Sequence, residues 1–553
     1  MRLMWMILAV FPAHDGPQIK TPTVVQPEVE AAIHTPVGFD KAGEPAVVEG
    51  GESSRLGLRI VDADSRELIP CRVNVVGSDG NYYEPLHNRL RPWSLHRTGN
   101  RQGKGPHRYY GWFFFTTGHC DVSVPAGKTM VEVWRGFEYQ PARVVVDLEA
   151  SQTVDVVVPL DRTLDMNQRA WYSGDTHLHF DRQTAEQSER IVDLIAAEDI
   201  NVGFVLAMND PGSYVGRMRD QIWPQDRGMG IASLTRRGRY MITSGQEYRC
   251  KTFGHICLLL GDELVLRGRV VDPNNWPTFG EIVDLTHALR GYAVHAHGGY
   301  SQEIYADFAQ RKGDAVELMQ FARYRGIALE GWYHMLNIGF RLPAVGACDY
   351  PYCRALGDSR TYAQVDGELT PETWMRAVKQ GRSFQTSGPM LLVNVSGRSP
   401  GDTIAISGES TLKVDIEVLA EVGKVQHVDV IANGELAERF DVTPPAEGTQ
   451  REVISTHLTV SESTWIAVRA WGTGIADLHD GDAHTNPVYI IRDGRGAYRN
   501  DSVVWLLERL EEQKQEHATR EFKEQPDVLR YFDRSVRILQ TIKANGGQSD
   551  VDP

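Results

Sequence analysis

The stretch Trp171-Tyr-Ser-Gly-Asp-Thr-His-Leu-His-Phe180 places His177 and His179 two residues apart. On a β-strand, residues at that spacing project from one face. Two imidazoles then converge on a single point, as the coordination of a divalent metal requires. In a chain with 18 histidines one such pair arises by chance. Its weight comes from the His, Asp and Glu residues that recur downstream, each beside a strand-like run.

The sequence around this pair alternates between two periods. The spacing of Ile191, Leu194 and Ile195 predicts a helix over 185–198, followed by a strand over 201–207. A second helix is expected over 279–289 and a strand over 291–295. A third helix is expected over 371–380, with Thr370 as its N-cap. Alternating β and α units over 170–390 imply a parallel sheet or barrel. In such barrels the active site lies at the C-terminal strand ends.

The flanks read differently. Residues 1–54 form a lead-in in which Arg2 precedes a short apolar run resembling a signal-peptide core. That run argues for export, periplasmic or extracellular, with a cytoplasmic location as the alternative. Short alternating runs such as Cys71–Val76 and Val154–Val158 make residues 55–165 a β-sandwich. This region resembles the carboxypeptidase-regulatory-like modules attached to secreted enzymes. Alternation returns over 391–495, with Asn433-Gly434 marking a hairpin turn, and implies a second sandwich. Residues 500–545 read as a charged helical tail of two helices divided near Pro526 and packed on the surface.

The bulk numbers exclude some classes of function. A net charge of −15 argues against a nucleic-acid partner. No segment approaches the roughly 20 apolar residues of a transmembrane helix, so no integral membrane segment is expected. Six cysteines in 553 residues are too sparse for a disulfide scaffold, and they read as buried free thiols. There is no P-loop and no GxGxxG before a helix, and Ser/His/Asp catalysis has no support.

Four clusters in the central region supply metal-ligand side chains: His177 with His179, Glu247 with His255, His295 with His297, and Asp349. His and carboxylate ligands together suit Zn, Mn or Fe. A carboxylate such as Glu247 can bridge two ions with its two oxygens. Any one cluster alone is as well explained by a structural histidine or a surface acid. Four in order on one α/β region point to a metal centre.

That order resembles the polymerase-and-histidinol-phosphatase (PHP) superfamily, in its CehA/McbA-like metallohydrolase branch. Gly174-Asp-Thr-His-Leu-His179 is similar to the family's GDxHxH opening. Gly245-Gln-Glu247 with Gly254-His255 is similar to its Glu…His pair, Ala296-His297-Gly298 to its AHP/AHG element, and Gly346-Ala-Cys-Asp349 to its GSD element. Gly381-Arg-Ser-Phe-Gln-Thr-Ser-Gly-Pro389 is similar to the segment that closes the domain in this branch. The resemblance implies a distorted (βα)7 barrel, flanked here by the two sandwiches, and one or two divalent ions. It implies ligands among His177, His179, Glu247, His255, His295, His297 and Asp349, with His297 matching the motif better than His295.

Two positions depart from the family. Asp210 stands where a histidine is usual, and Pro351 where a further histidine is common. Asp210 reads either as a ligand or general base, or as the cap of the turn before Pro211-Gly212. His334 could reach the site or pack in the core. Arg360 and Arg382 could hold an anionic group or form salt bridges. His87, His96 and His107 lie in an aromatic, basic stretch of the first sandwich, read as an exposed insertion or a ligand-contact loop.

The expected function is a metal-dependent hydrolase, using a metal-activated water on a phosphoester, carbamate, ester or amide of a small-molecule or polymer substrate. Asp210, His334 and Arg360 are the expected catalytic partners. The alternative is a catalytically degenerate scaffold that binds an extracellular polymer or cell-surface ligand. The sequence sets no oligomeric state.

Overall fold

A computed structural model describes residues 53–90, 113–209, 228–250, 252–266, 275–301, 303–320, 323–351, 356–446, 448–473 and 479–547, together with Thr23–Val24 and residue 48. The lead-in run at residues 1–14, His96, His107, Asp210 and Cys353 lie outside the described residues.

The architecture is dominated by strands. A (βα)7 barrel, expected from the alternating pattern and the resemblance, is not what the chain forms. The central sheet runs Arg360–Gln364, Trp171–Leu178, Val202–Asn209, Tyr240–Cys250, Gly254–Leu259, Tyr292–His295, Ala315–Gln320 and Ala344–Ala347. Parallel pairs join Trp171–Leu178 to Val202–Asn209, and Val202–Asn209 to Tyr240–Cys250. The Tyr240–Cys250 strand then turns back antiparallel onto Gly254–Leu259, which is antiparallel to Tyr292–His295. That reversal interrupts the parallel βα repeat. The strand Arg360–Gln364 is also antiparallel to Trp171–Leu178. At the other margin, a bridge between Leu178 and Tyr350 brings the segment after Ala344–Ala347 against the strand that starts the sheet.

Helices form where the apolar spacing placed them. Helix Ala185–Ala197 begins at Thr184, whose side chain accepts from the Gln187 N–H in a capping box. Helix Pro371–Lys379 begins at Thr370 in the same way, with Pro371 in its first turn. Helix Phe279–Ala288 precedes strand Tyr292–His295.

Residues 53–160, with Thr23–Val24 adding an edge strand beside Thr153–Leu160, form two four-stranded sheets. Leu56, Leu58, Val73, Val75, Val131, Val133, Val156 and Val158 fill the core they share. Charged pairs tie this unit to the central sheet: Arg162 bonds Glu138 at 2.8 Å and Asp199 at 2.6 Å, beyond the end of helix Ala185–Ala197. On the other side, strand Ser383–Thr386 pairs with both Arg360–Gln364 and His479–Thr485. The sheet network therefore continues without a break into the C-terminal strands. There the hairpin His427–Ala432 and Glu435–Asp441 turns at Asn433-Gly434.

The C-terminal helices Asn500–Ala518 and Gln525–Asn545 do more than lie on the surface. Their Val503, Leu506, Leu510, Phe532 and Leu539 belong to the same apolar cluster as Ile282, Val316 and Trp332. Covering these side chains contributes roughly 1.5–3 kcal/mol each. The second helix carries Pro526 in its first turn, where a missing N–H costs nothing. No helix among the described residues is long and apolar enough to cross a membrane. Cys71, Cys120, Cys250, Cys257 and Cys348 are free thiols.

Candidate metal centre

The strand pattern delivers the residues to one end of the central sheet. His177 is the last residue but one of strand Trp171–Leu178, and His179 follows the strand. Glu247 lies near the end of Tyr240–Cys250, and its neighbour strand Gly254–Leu259 begins at the same end with His255. His297 lies in the turn Ala296–Ser301 after strand Tyr292–His295. Asp349 follows strand Ala344–Ala347, set beside His179 by the His179 N–H donating to the Tyr350 carbonyl at 2.7 Å.

Glu247 is the hub. Its Oε1 lies 3.5 Å from His177 Nε2, 2.7 Å from His255 Nδ1 and 3.6 Å from His297 Nε2. Its Oε2 lies 3.4 Å from His179 Nε2. Asp349 Oδ1 closes the other side, 3.4 Å from His177 Nε2 and 3.2 Å from His179 Nε2. Two donors bound at about 2.1 Å in a tetrahedral shell stand roughly 3.4 Å apart. The spacing of His177, His179, Glu247 and Asp349 matches that edge length.

The backs of the histidines are held in turn. Glu317 Oε2 is 2.9 Å from His177 Nδ1, and Gln320 Oε1 is 2.6 Å from His297 Nδ1. A carboxylate on one ring nitrogen fixes the tautomer and leaves the other nitrogen its lone pair. His177 Nε2 is buried with no hydrogen-bond partner. A buried polar atom in that condition costs free energy unless something occupies it.

The charges agree. Glu247, Glu317 and Asp349 are all buried. Burial would push the Glu247 carboxyl up, but the His177 charge and the close His177, His255 and His297 rings hold it well below the ordinary range. Burial would likewise depress His177, yet Cys257, Glu317, Asp349 and Glu247 raise it well above its ordinary value. Three buried carboxylates gathered around a fully buried imidazole mark a place for a cation. The donor set fits a divalent ion of the Zn, Mn or Fe type. His177, His179 and Asp349 form one close group, and His177, Glu247 and His297 another.

Two of these residues sit in the left-handed backbone region, His297 at φ 54° and Asp349 at φ 52°. His and Asp tolerate it better than most, and such strain gathers at functional sites. Gly298 follows at φ +70°, and a Cβ there would come within 2.0 Å of the Arg325 carbonyl.

Other residues singled out in the sequence lie elsewhere. His295 points away from the cluster, packing between Phe279 and Phe308 with Nε2 3.4 Å from Asp307. The strand alternation puts it among apolar side chains, and burial holds its pKa down at about 3. His334 stacks on Trp505 at 4.3 Å, and its Nδ1 is 2.9 Å from the Ser502 hydroxyl. It joins helix Ala328–Leu336 to the C-terminal helices. Arg360 is fully buried, donates to the Gly357 and Glu198 carbonyls, and lies 3.9 Å over the Phe137 ring. Those bonds give it a structural task. Arg382 pairs with Asp366 at 2.8 Å, and His87 is exposed.

Sequence reasoning missed Glu317 and Gln320. Glu317 carried a signal: it interrupts Ala315–Gln320, whose residues are all buried. A lone carboxylate in such a strand needs a partner.

No protein-family model matches the sequence, and no curated protein matches it. Among solved structures, the chain is similar to the lesion-specific endonuclease PfuEndoQ from Pyrococcus furiosus, at 14% identity and a TM-score of 0.24, over 38% of this chain and 56% of that one. A complex of endonuclease Q with a 27-mer duplex bearing an abasic lesion gives the same values. PsfC from Pseudomonas syringae PB-5123 is similar at 16% identity and a TM-score of 0.26, over 38% of this chain and 89% of that one. The chain thus covers little more than half the length of the endonuclease chains. Likeness of this extent decides neither fold nor activity.

Proposed function

We propose that the protein is a metal-dependent hydrolase whose centre is built from His177, His179, Glu247, His255, His297 and Asp349. The observation that carries this reading is Glu247. One of its oxygens faces His179 and the other faces His177, His255 and His297. A carboxylate so placed serves one ion or bridges two. The motif order that resembles the CehA/McbA-like branch supports the same reading.

A divalent ion, when bound, supplies Lewis acidity toward a substrate oxygen and lowers the pKa of water toward neutrality. The chain's own residues do the rest. Glu317 holds His177 in one tautomer, and Gln320 fixes the ring of His297. Burial keeps His255 below its ordinary pKa, so that its ring is neutral with a lone pair to give. Fully buried His177 and buried Glu247 keep bulk water from the inner side of the centre. Asp349, held below the ordinary carboxylate range against burial by His177, stays ionised and can accept a proton. The substrate is a phosphoester, carbamate, ester or amide.

The test is elemental analysis of protein purified without chelator, followed by a screen of phosphoester, aryl ester and carbamate substrates. The double variant His177→Ala/His179→Ala is expected to lose both metal and hydrolysis. Full hydrolysis by the metal-free double variant would overturn the proposal.

A further inference from the structure

We infer that the cavity between the last C-terminal helix and the central region is a binding site for a small amphiphilic anion, a carboxylate or phosphate monoester that carries an apolar group. The cavity shares no residue with the metal centre, and the inference does not depend on the hydrolase reading.

A cavity of about 400 Å³ opens where helix Gln525–Asn545 lies against the central region. That volume falls among those of small-molecule sites, roughly 300–1,000 Å³. Phe340, Ile538 and Ile542 give it an apolar wall. Phe340 and Ile542 belong to the apolar cluster that joins the tail helices to the sheet, and Ile538 packs against that cluster. Three arginines line the same space. Arg534 and Arg537 come from the helix, and Arg311 from the turn after helix Ile304–Ala309. Among the described residues, no Asp or Glu lines it.

This local charge runs against that of the whole chain, which carries 73 acidic residues to 58 basic ones. The two acidic residues of the helix are committed to other cations. Asp527 pairs with Arg530, and Asp533 with Lys514 at 2.7 Å. Arg534 and Arg537 are exposed and three residues apart, so both side chains leave one side of the helix. Two guanidinia at that spacing present planar forks of donors to a single carboxylate or phosphate. An apolar group attached to that anion leaves water against Phe340, Ile538 and Ile542. A bare anion uses only the arginines, and a neutral hydrocarbon only the apolar wall. The combination favours a ligand that has both parts.

The experiment titrates the full chain calorimetrically with octyl phosphate and, separately, octanoate, both below the concentrations at which they form micelles. Inorganic phosphate and octanol are the controls. At least one amphiphile is expected to bind at one site per chain, about tenfold or more tighter than either control. The tighter amphiphile names the head group. Arg534→Gln/Arg537→Gln removes the charge and should raise its Kd about tenfold or more. Thr541→Trp, at an exposed position on the cavity wall, keeps the arginines, fills the space and should weaken binding as strongly. Thermal melts confirm that both variants fold. No amphiphile binding by wild type, inorganic phosphate bound as tightly as octyl phosphate, or an affinity unchanged in both variants would each overturn the inference.

Discussion

Glu317 Oε2 lies 2.9 Å from His177 Nδ1, while Glu317 Oε1 accepts the Thr176 hydroxyl at 2.8 Å. The carboxylate is thereby aimed from both sides, and His177 Nε2 is turned toward Glu247 and Asp349. Glu317→Gln keeps the shape but weakens the acceptor behind His177. Metal affinity should fall 10- to 100-fold with the fold retained. Competition with a chromogenic chelator measures it, and an unchanged affinity would remove Glu317 from the design of the site.

His295 and His297 are two residues apart, yet they face opposite environments. His297→Ala should lower metal content. His295→Ala should leave metal content near wild type and cost about 2–3 kcal/mol of stability, because it empties a place between Phe279 and Phe308. Metal analysis paired with thermal melts separates the two, and the reverse pattern would show that the ring placement is wrong.

Gly174 packs against the indole of Trp374. A Cβ there would come within 2.3 Å of the Trp374 Cζ2 atom. Gly174→Ala should therefore destabilise by about 1–3 kcal/mol and disturb the strand that carries His177. A chemical-denaturation midpoint equal to wild type would show that Trp374 moves freely.

Glu303 and Asp307 are fully buried together, and Asp307 Oδ1 accepts the Tyr531 hydroxyl at 2.6 Å. Burial pushes Asp307 up to about 7, and burial with the Asp307 charge pushes Glu303 well above its ordinary value. Unfolded carboxyls ionise near pH 4. Between about pH 4 and 7 the unfolded chain has therefore released protons that the native state keeps. The stability tied to these protons is complete below about pH 4 and is lost as pH rises through about 7. Asp307→Asn should flatten the decline in melting temperature between pH 5.5 and 8 while keeping the bond from Tyr531. A decline as steep as that of wild type would place its cause elsewhere.

Much of the fold was legible locally. Thr370 announced a helix start, because an N-cap acts on the backbone beside it, and the spacing of Ile191, Leu194 and Ile195 announced another helix. Asn433-Gly434 announced a hairpin for the same reason. The sheet direction was not legible. Whether Tyr240–Cys250 is followed by a parallel or an antiparallel neighbour depends on pairing between distant segments, and a βα rhythm reads alike until the strands are placed. The tail helices looked like surface elements because charged residues recur along them. Val503, Leu506 and Phe532 nonetheless reach the core.

The sequence by itself determined which side chains could bind a metal: histidines and carboxylates at strand ends, fixed in type and order by the chain. Only the tertiary structure decided which of them meet. It turned His297 inward and His295 outward, because alternation sends neighbours two apart to one face only while the strand continues, and the chain leaves the strand at Ala296. It gave Arg360 and His334 to packing, and it set Glu317 behind His177 from a strand some 140 residues away. Coordination demands that donors converge within a few ångströms, and convergence is a property of the packed sheet.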